Sequence, residues 1–278
     1  MLAADDGARV IAGGQTLVPL MAVRLARPTR LIDIGRLADL SFVRKDEAAV
    51  SPSAIVIGAV TRQCVVERHP LVAAHVPLLA RAMPWIGHAA TRARGTIGGS
   101  LANADPAAEI SLVAVTLDAT LSYRAAAGVA EIAAADFFIS AMVTALPSGA
   151  CLTAVRFPVW QGRIGTGFHE VSTRRSDFAV ASAAAQLVID QGGVCRRLAI
   201  AVGAVTDVPV RLHAAEQALV DTRLNPSSIR VAVYDCVCEV ETSGDLHASA
   251  DYRRRAAAAL AERAIIDAHE DAINSHAH

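Results

Sequence analysis

The sequence predicts an α+β protein of two domains, and three features carry the prediction. A compact βαβ pattern opens the chain, a stretch of helices gives way to a run of strands near its middle, and the carboxyl-terminal third reads as a small antiparallel sheet followed by helices. A chain of 278 residues with 53% hydrophobic side chains can bury the cores of about two domains.

Taken in order, Arg9 to Ala12 reads as a short buried strand, Gly13-Gly14 turns the chain, and Leu17 to Leu25 places Leu17, Leu20, Met21 and Leu25 on one helical face. Leu31 to Ile34 returns as a second strand. Ile55 to Gly58 is a further strand, with Thr61 expected to cap a helix reaching His69; Pro77 to Ile86 and Pro106 to Leu117 are helical. Strands follow at Thr120 to Tyr123, Val129 to Ile132 and Leu152 to Phe157. Pro158 to Gly167, holding one proline and three glycines, is the expected linker. Beyond it lie strands at Gly167 to Val171, Ala179 to Ile189 and Leu198 to Ala204, then helices at His213 to Leu219, Pro226 to Val240 and Tyr252 to Ala268. Ala272 to His278, with His276 and His278, is expected to be a frayed tail rather than a ligand set. The boundaries fall at 1–160, with subdomains of about 1–58 and 59–160, and at 165–270.

Composition excludes several functions. The net charge is −1 with scattered basic residues, so nucleic acid is not an expected partner. Mean hydropathy is +0.38, yet the apolar runs are interrupted before the ~18 residues a membrane span needs. Met1 to Asp6 lacks a positive region followed by an apolar core, so no signal peptide is read and the expected compartment is the cytoplasm. Cys64, Cys151, Cys195, Cys236 and Cys238 form no C-x-x-C and read as buried free thiols. The chain is expected to carry no metal and no iron–sulfur cluster of its own.

The chemistry is written in two glycine pairs, Ala12-Gly13-Gly14-Gln15-Thr16 and Thr96-Ile97-Gly98-Gly99-Ser100. Each follows a strand or turn and precedes an apolar helical segment. Glycine takes positive φ and lets backbone N–H groups approach an anion, and a helix start adds unpaired N–H groups and partial positive charge. Two such loops are suited to grip one diphosphate from both sides.

The segments 12–21 (AGGQTLVPLM), 94–109 (RGTIGGSLANADPAAE) and 174–179 (RRSDFA) together resemble the FAD-binding medium subunits of molybdenum hydroxylases, the family of the carbon monoxide dehydrogenase flavoprotein and the flavin domain of xanthine dehydrogenase. The resemblance spans nearly the whole chain. It implies an FAD-binding domain of two α/β subdomains, of the vanillyl-alcohol-oxidase and molybdenum-hydroxylase type, followed by a sheet-and-helix domain. Family members usually carry a strand and a helix before the first glycine motif; here Met1 falls inside that helix, so the start lies further upstream or the strand is absent.

By that resemblance, the backbone of Ala12, Gly13, Gly14, Gln15, Thr16 and Leu17 and of Thr96, Ile97, Gly98, Gly99 and Ser100 holds the FAD diphosphate, helped by the hydroxyls of Thr16, Thr96 and Ser100. Asn103 and Asp105 are polar ligands near the cofactor, or caps of the helix at Pro106, and Glu109 matches a carboxylate that contacts it. Ile86, Leu152 and Phe178 match positions around the isoalloxazine ring. The family often has a lysine near positions 169 and 170, where this chain has His169 and Glu170; a cation for the reduced flavin is then expected from His169, Arg174 or Arg175, or is missing. No catalytic base or nucleophile is expected here.

The implied role is electron transfer: electrons arrive from the [2Fe–2S] clusters of a small partner subunit, after a large molybdenum-pterin subunit has oxidised the substrate, and leave to NAD, oxygen, a quinone or a carrier. The implied assembly is a heterotrimer or its dimer, with the ring edge near Ile86 and Phe178 facing the small subunit. Two alternatives stand beside it: a self-contained FAD-dependent oxidase of the same broad fold, and a cofactor-free scaffold or assembly factor.

Overall fold

The computed structural model describes residues 2–5, 7–46 and 54–274. The expected tail residues 275–278, including His276 and His278, lie outside the described residues. Strand β1 (Ala8–Ile11), helix α1 (Leu17–Ala22) and strand β2 (Arg30–Asp33) form the opening βαβ unit. β1 and β2 pair in parallel, Ala8 opposite Arg30 and Ile11 opposite Asp33, so the first glycine pair lies at the carboxyl end of β1, where such units bind ligands. The helix stops three residues short of Leu25, and none of its residues is buried. Leu25 is 78% exposed; a two-stranded sheet has too little face to cover the apolar side expected to be inward.

Strands β3 (Val43–Lys45) and β4 (Ala54–Gly58) precede six short helices: α2 (Gln63–Glu67), α3 (Pro70–His75), α4 (Pro77–Ala82), α5 (Ala89–Arg94), α6 (Ile97–Asn103) and α7 (Glu109–Thr116). Next come β5 (Thr120–Ala125), β6 (Gly128–Ala133), α8 (Ala134–Phe137), the small pair β7 (Phe138–Ser140) and β8 (Val143–Thr144), and β9 (Cys151–Pro158). The order β3-β4-β9-β5-β6 makes a five-stranded sheet, antiparallel throughout. Ile55 and Ile57 of β4 and Val155 and Phe157 of β9 share one core with Leu78, Leu79, Met83, Leu101 and Leu112 from the helices. Thr61 does not cap α2. Its hydroxyl exchanges hydrogen bonds with the backbone of Phe42, 3.0 Å to both N and O, and Arg62 occupies the N-cap.

In the second domain β10 (Arg163–Ser172), β11 (Ala179–Ile189), β12 (Cys195–Gly203) and β13 (Val210–Arg211) form an antiparallel sheet in chain order. It is followed by α9 (His213–Leu219), α10 (Pro226–Cys238) and α11 (Ala250–Asn274). The nearly unbroken apolar run of β11 reflects burial on both faces. Ala181, Ala183, Ala185 and Leu187 join Ala257, Ala261, Ala264 and Ala268 of α11 in one core, while Ala184 joins the core of the first domain. Small side chains bring α11 close to the sheet. A Cβ at Gly165 would overlap the carbonyl of Ala268, and one at Gly167 that of Ala264.

Those glycines are therefore packing positions inside β10, and the linker is only 159–162. Even there Val159 and Trp160 are buried, with the Arg197 guanidinium 3.7 Å above the indole centroid. Ala272, expected in the frayed tail, is fully buried on α11. Of the cysteines only Cys195 is buried, and Cys238 is exposed. Among the described residues no group of three or more His, Cys, Asp or Glu is arranged to hold a metal, and no helix is long and apolar enough to cross a membrane.

One ion-pair cluster fastens the domains together. Glu216 accepts from the Ile200 N–H at 2.9 Å and from Arg211 Nε at 2.6 Å, and Arg211 reaches across to Val115 O at 3.2 Å and Asp118 at 2.9 Å. Arg211 and Glu216 side chains are each 11% exposed. Removing one partner leaves the other charge buried, so Arg211→Ala is expected to cost about 3 kcal/mol in urea denaturation. A loss below about 1 kcal/mol would mean that the cluster behaves as a surface pair.

Candidate functional site

The first glycine loop leaves β1 at Ile11 and enters α1 at Leu17. Gly14 takes φ +70°, the left-handed conformation glycine adopts without strain. The backbone N–H groups of Gly13, Gly14, Gln15, Thr16 and Leu17 find no acceptor among the described residues, whereas the next, Val18, donates to Gly14 O at 3.1 Å. Thr16, at the N-cap, makes no capping bond. Five successive backbone donors without an acceptor, in a loop where Gly14 takes positive φ, are the groups with which such loops meet anions.

The fold brings the second glycine segment against this loop. A Cβ at Gly13 would overlap Arg94 O and stand 2.9 Å from Gly95 Cα, so the two segments touch through bare backbone. Arg62 Nη1 donates to the same Arg94 carbonyl. In the second segment, however, the donors are spent inside the chain. Ile97 N–H goes to Thr61 O, Gly98 N–H to Ala59 O and Ser100 N–H to Thr96 O, while Gly99 N–H goes to Thr96 Oγ1 at 3.1 Å. Thr96 is the N-cap of α6 and is 2% exposed. Gly98 serves packing, since a Cβ there would lie 2.5 Å from Ala59 Cβ. Gly99 is exposed and Ser100 partly so. The asymmetry differs from the two-sided grip expected: the first loop offers N–H groups, and the second offers an exposed glycine surface and the Ser100 hydroxyl.

Asn103 closes α6 and Asp105 lies in the turn that follows it. Ala104 takes φ +49°, Asn103 Nδ2 lies 3.5 Å from Met142 Sδ, and Asp105 accepts from Ala107 N–H at 2.9 Å. α7 begins only at Glu109, so Asp105 stabilises the turn before the helix and does not cap it. Ile86 and Leu152 are both in the buried core of the first domain. Phe178 stands in the β10–β11 connection and is 78% exposed among the described residues.

Two features escaped the sequence. Arg92 pairs with Glu67 through two bonds, Nε to Oε2 at 2.9 Å and Nη2 to Oε1 at 3.0 Å, and donates from Nη1 to the carbonyls of Ile86 and Gly87, each at 3.0 Å. It fixes the turn at Ile86 and Gly87. Nothing in the spacing of Glu67 and Arg92 announces this. The second is a pair of carboxyls. Burial pushes Glu109 up to about 7, with the Asp105 charge adding to it and Arg92 opposing. Burial likewise pushes Glu170 up to about 8, and the Glu109 charge adds to it. His169, expected as a cation for the flavin, turns to α11 instead, its Nε2 2.9 Å from Asp267; alternation along β10 sends neighbouring side chains to opposite faces.

The raised carboxyls have a stability consequence of definite sign. The folded chain holds protons that the unfolded chain releases, so this contribution is complete below about pH 4.5, is lost as pH rises through about 7 to 8, and is flat above. Glu109→Gln is expected to recover on the order of 3 kcal/mol of stability at pH 9 and almost nothing at pH 4. Urea denaturation of both proteins at the two pH values reads this directly; equal differences at both would show that Glu109 is not perturbed.

A two-domain α+β chain whose first strand ends in a glycine loop of unbonded N–H groups is of a build compatible with a dinucleotide cofactor, and the comparisons with known proteins specify it. The FAD binding domain in molybdopterin dehydrogenase matches residues 1–160, and the CO dehydrogenase flavoprotein C-terminal domain matches residues 166–268. The chain is 35% identical to the 6-hydroxypseudooxynicotine dehydrogenase complex subunit alpha of Paenarthrobacter nicotinovorans, over 95% of this chain and 87% of that one. It is 32% identical to the glyceraldehyde dehydrogenase medium chain of Sulfolobus acidocaldarius, over 95% and 91%. Among solved structures, quinoline 2-oxidoreductase from Pseudomonas putida 86 superposes with a TM-score of 0.90 at 35% identity, covering 98% of this chain and 93% of that one. The Cu,Mo-CO dehydrogenase superposes at 0.92 and 30% identity, covering 97% and 92%. The chain belongs to the FAD-binding medium subunits of the molybdenum hydroxylases, and is an oxidoreductase subunit.

Proposed function

We propose that this chain takes electrons from the [2Fe–2S] clusters of a small partner subunit and passes them to an external acceptor, NAD, a quinone, oxygen or a carrier. The observation that carries the cofactor half of this reading is the run of five free N–H groups from Gly13 to Leu17 pressed against Arg94 and Gly95. Bound FAD would supply a centre that accepts electrons singly and gives them up in pairs.

In this reading Ala12 to Leu17 hold the diphosphate through the backbone, and Thr96, Ile97, Gly98, Gly99 and Ser100 shape the opposite wall. Gly98 sets the close packing there, and Ser100 donates its hydroxyl. Asn103, Asp105 and Glu109 line the path from diphosphate to ring. Ile86, held by Arg92, and Leu152 supply apolar walls, and exposed Phe178 covers the ring from the β10–β11 connection. FAD sits between subdomains at about 1–58 and 59–160, with the domain at 165–270 behind it. Relatives named for substrates as different as caffeine and carbon monoxide match over nearly the whole chain, which fits a substrate site on a separate large molybdenum-pterin subunit, in a cytoplasmic heterotrimer or its dimer.

The test is purification of this chain co-expressed with its genomic neighbours, followed by a visible spectrum, cofactor analysis and subunit analysis. Noncovalent FAD, iron–sulfur absorbance and molybdenum in one complex are the expected result. A lone yellow protein that oxidises a small molecule unaided would overturn the reading in favour of a self-contained oxidase, and a colourless protein would remove the cofactor.

A further inference from the structure

Thr61, Arg62 and Gln63 follow β4 and run antiparallel to the second glycine segment. Thr61 O accepts from Ile97 N–H at 3.1 Å, Gln63 N–H donates to Gly95 O at 2.9 Å, and Arg62 bridges Thr96 between them. Gln63 is buried, and its Oε1 occupies the place that a Cβ at Gly95 would need. Arg62 has extended backbone, φ −66° and ψ 140°, and its side chain is half-buried. Its Nη1 donates to Arg94 O, the atom that a Cβ at Gly13 would overlap. The guanidinium and the first glycine loop therefore meet on one carbonyl oxygen. Among the described residues Arg62 makes no ion pair, and its Nε and Nη2 donors find no acceptor. Arg92 on α5 is by contrast paired with Glu67. The glycine segments 12–17 and 96–100 contain no lysine or arginine. Backbone N–H groups are dipoles only, and an anion of two charges drawn out of bulk water needs a cation as well.

We propose that Arg62 is the cation of the diphosphate site. Its unused donors pair with the cofactor's diphosphate, while Nη1 keeps the Arg94 carbonyl, and with it the second segment, against the first loop. The proposal rests on the FAD reading above. One side chain can do both because a guanidinium carries five donors in a rigid planar fork, so that one edge holds a carbonyl and another an anion. A lysine in its place would keep the charge and lose the fork. The asymmetry of the two loops follows: the first brings N–H groups, the second spends its own on the chain, and the positive charge arrives from the corner between β4 and α2.

The experiment is titration of the full chain, freed of flavin, with FAD by fluorescence quenching at low and at high KCl. It compares the wild type with Arg62→Gln, Arg62→Lys and, as a control for net charge, Arg68→Gln at the exposed C-cap of α2. Arg62→Gln is expected to weaken FAD binding about 10- to 100-fold at low salt and to flatten its salt dependence, because the charge pair that salt screens is gone. Arg62→Lys should keep the salt dependence and recover part of the affinity, and Arg68→Gln should match the wild type. A test on the wild type alone stands even if a variant does not fold: bound FAD should protect Arg62 from phenylglyoxal, with the modified arginines located by peptide mass spectrometry. Unchanged affinity in Arg62→Gln, a loss there with the salt dependence unaltered, an equal loss in Arg68→Gln, or an Arg62 that reacts as fast with FAD bound would each overturn the proposal while leaving the cofactor reading intact. Failure of the wild type to bind FAD would instead remove the reading on which it rests.

Discussion

Gly13→Ala is expected to fold normally and to lose about 100-fold in FAD affinity, some 3 kcal/mol. The added Cβ would overlap Arg94 O and crowd Gly95 Cα, so the first loop must retreat from the second segment. In the proposed binding mode its five N–H groups would then miss the diphosphate by a fraction of an ångström to an ångström, which is enough to remove most of what preorganised donors contribute. The loop is partly exposed, so the core is not disturbed. Flavin fluorescence quenching gives the affinity and a thermal melt without FAD gives the fold. Wild-type affinity in Gly13→Ala would show that the contact between the segments is incidental to binding.

Gly167→Val is expected to have the opposite signature, abolishing the fold of the second domain. A Cβ at Gly167 would run into the Ala264 carbonyl and stand 2.8 Å from Ala264 Cα, and a helix backbone cannot swing aside as a side-chain tip can. α11 would have to lift from β10 and expose the alanine-lined seam. Overpacking a dense core costs about 1–3 kcal/mol when side chains can shift, and more than about 4 kcal/mol is expected where backbone must move. The readout is expression of soluble protein and limited proteolysis of the 163–274 segment. A stable Gly167→Val chain with an unshifted melt would mean that α11 does not sit as closely as described.

Much of this architecture is legible in the residues, because the strongest signals are local. The opening βαβ unit, the helix at His213–Leu219 and the strand at Ala179–Ile189 follow from period and from flanking glycines and prolines. The misreadings share a cause: the sequence shows that a residue is small, apolar or polar, but not what lies across from it. Gly165 and Gly167 look like linker glycines until α11, about a hundred residues later, is laid on them. Leu25 looks inward-facing because its periodicity is right, but among the described residues no layer covers it. Thr61 precedes a helix as a cap would, yet Phe42 takes its hydroxyl.

The candidate site divides in the same way. The glycine pairs announce themselves, since the positive φ of Gly14 and the close backbone approach at Gly13 and Gly98 have a residue-type signature. That the second pair spends its N–H groups on Thr61, Ala59 and Thr96 depends on the end of β4 reaching it. The raised carboxyls of Glu109 and Glu170 depend on the burial each meets in the fold, which leaves no mark in either segment alone.

The most direct measurement is hydrogen–deuterium exchange of the purified chain with and without FAD, resolved to short peptides. The free N–H groups at Gly13 to Leu17 should exchange fast in the apo chain and become strongly protected with FAD, while Ile97 to Ser100, already bonded, should be slow in both. Protection that appears elsewhere, with Gly13 to Leu17 still exchanging freely, would contradict the account.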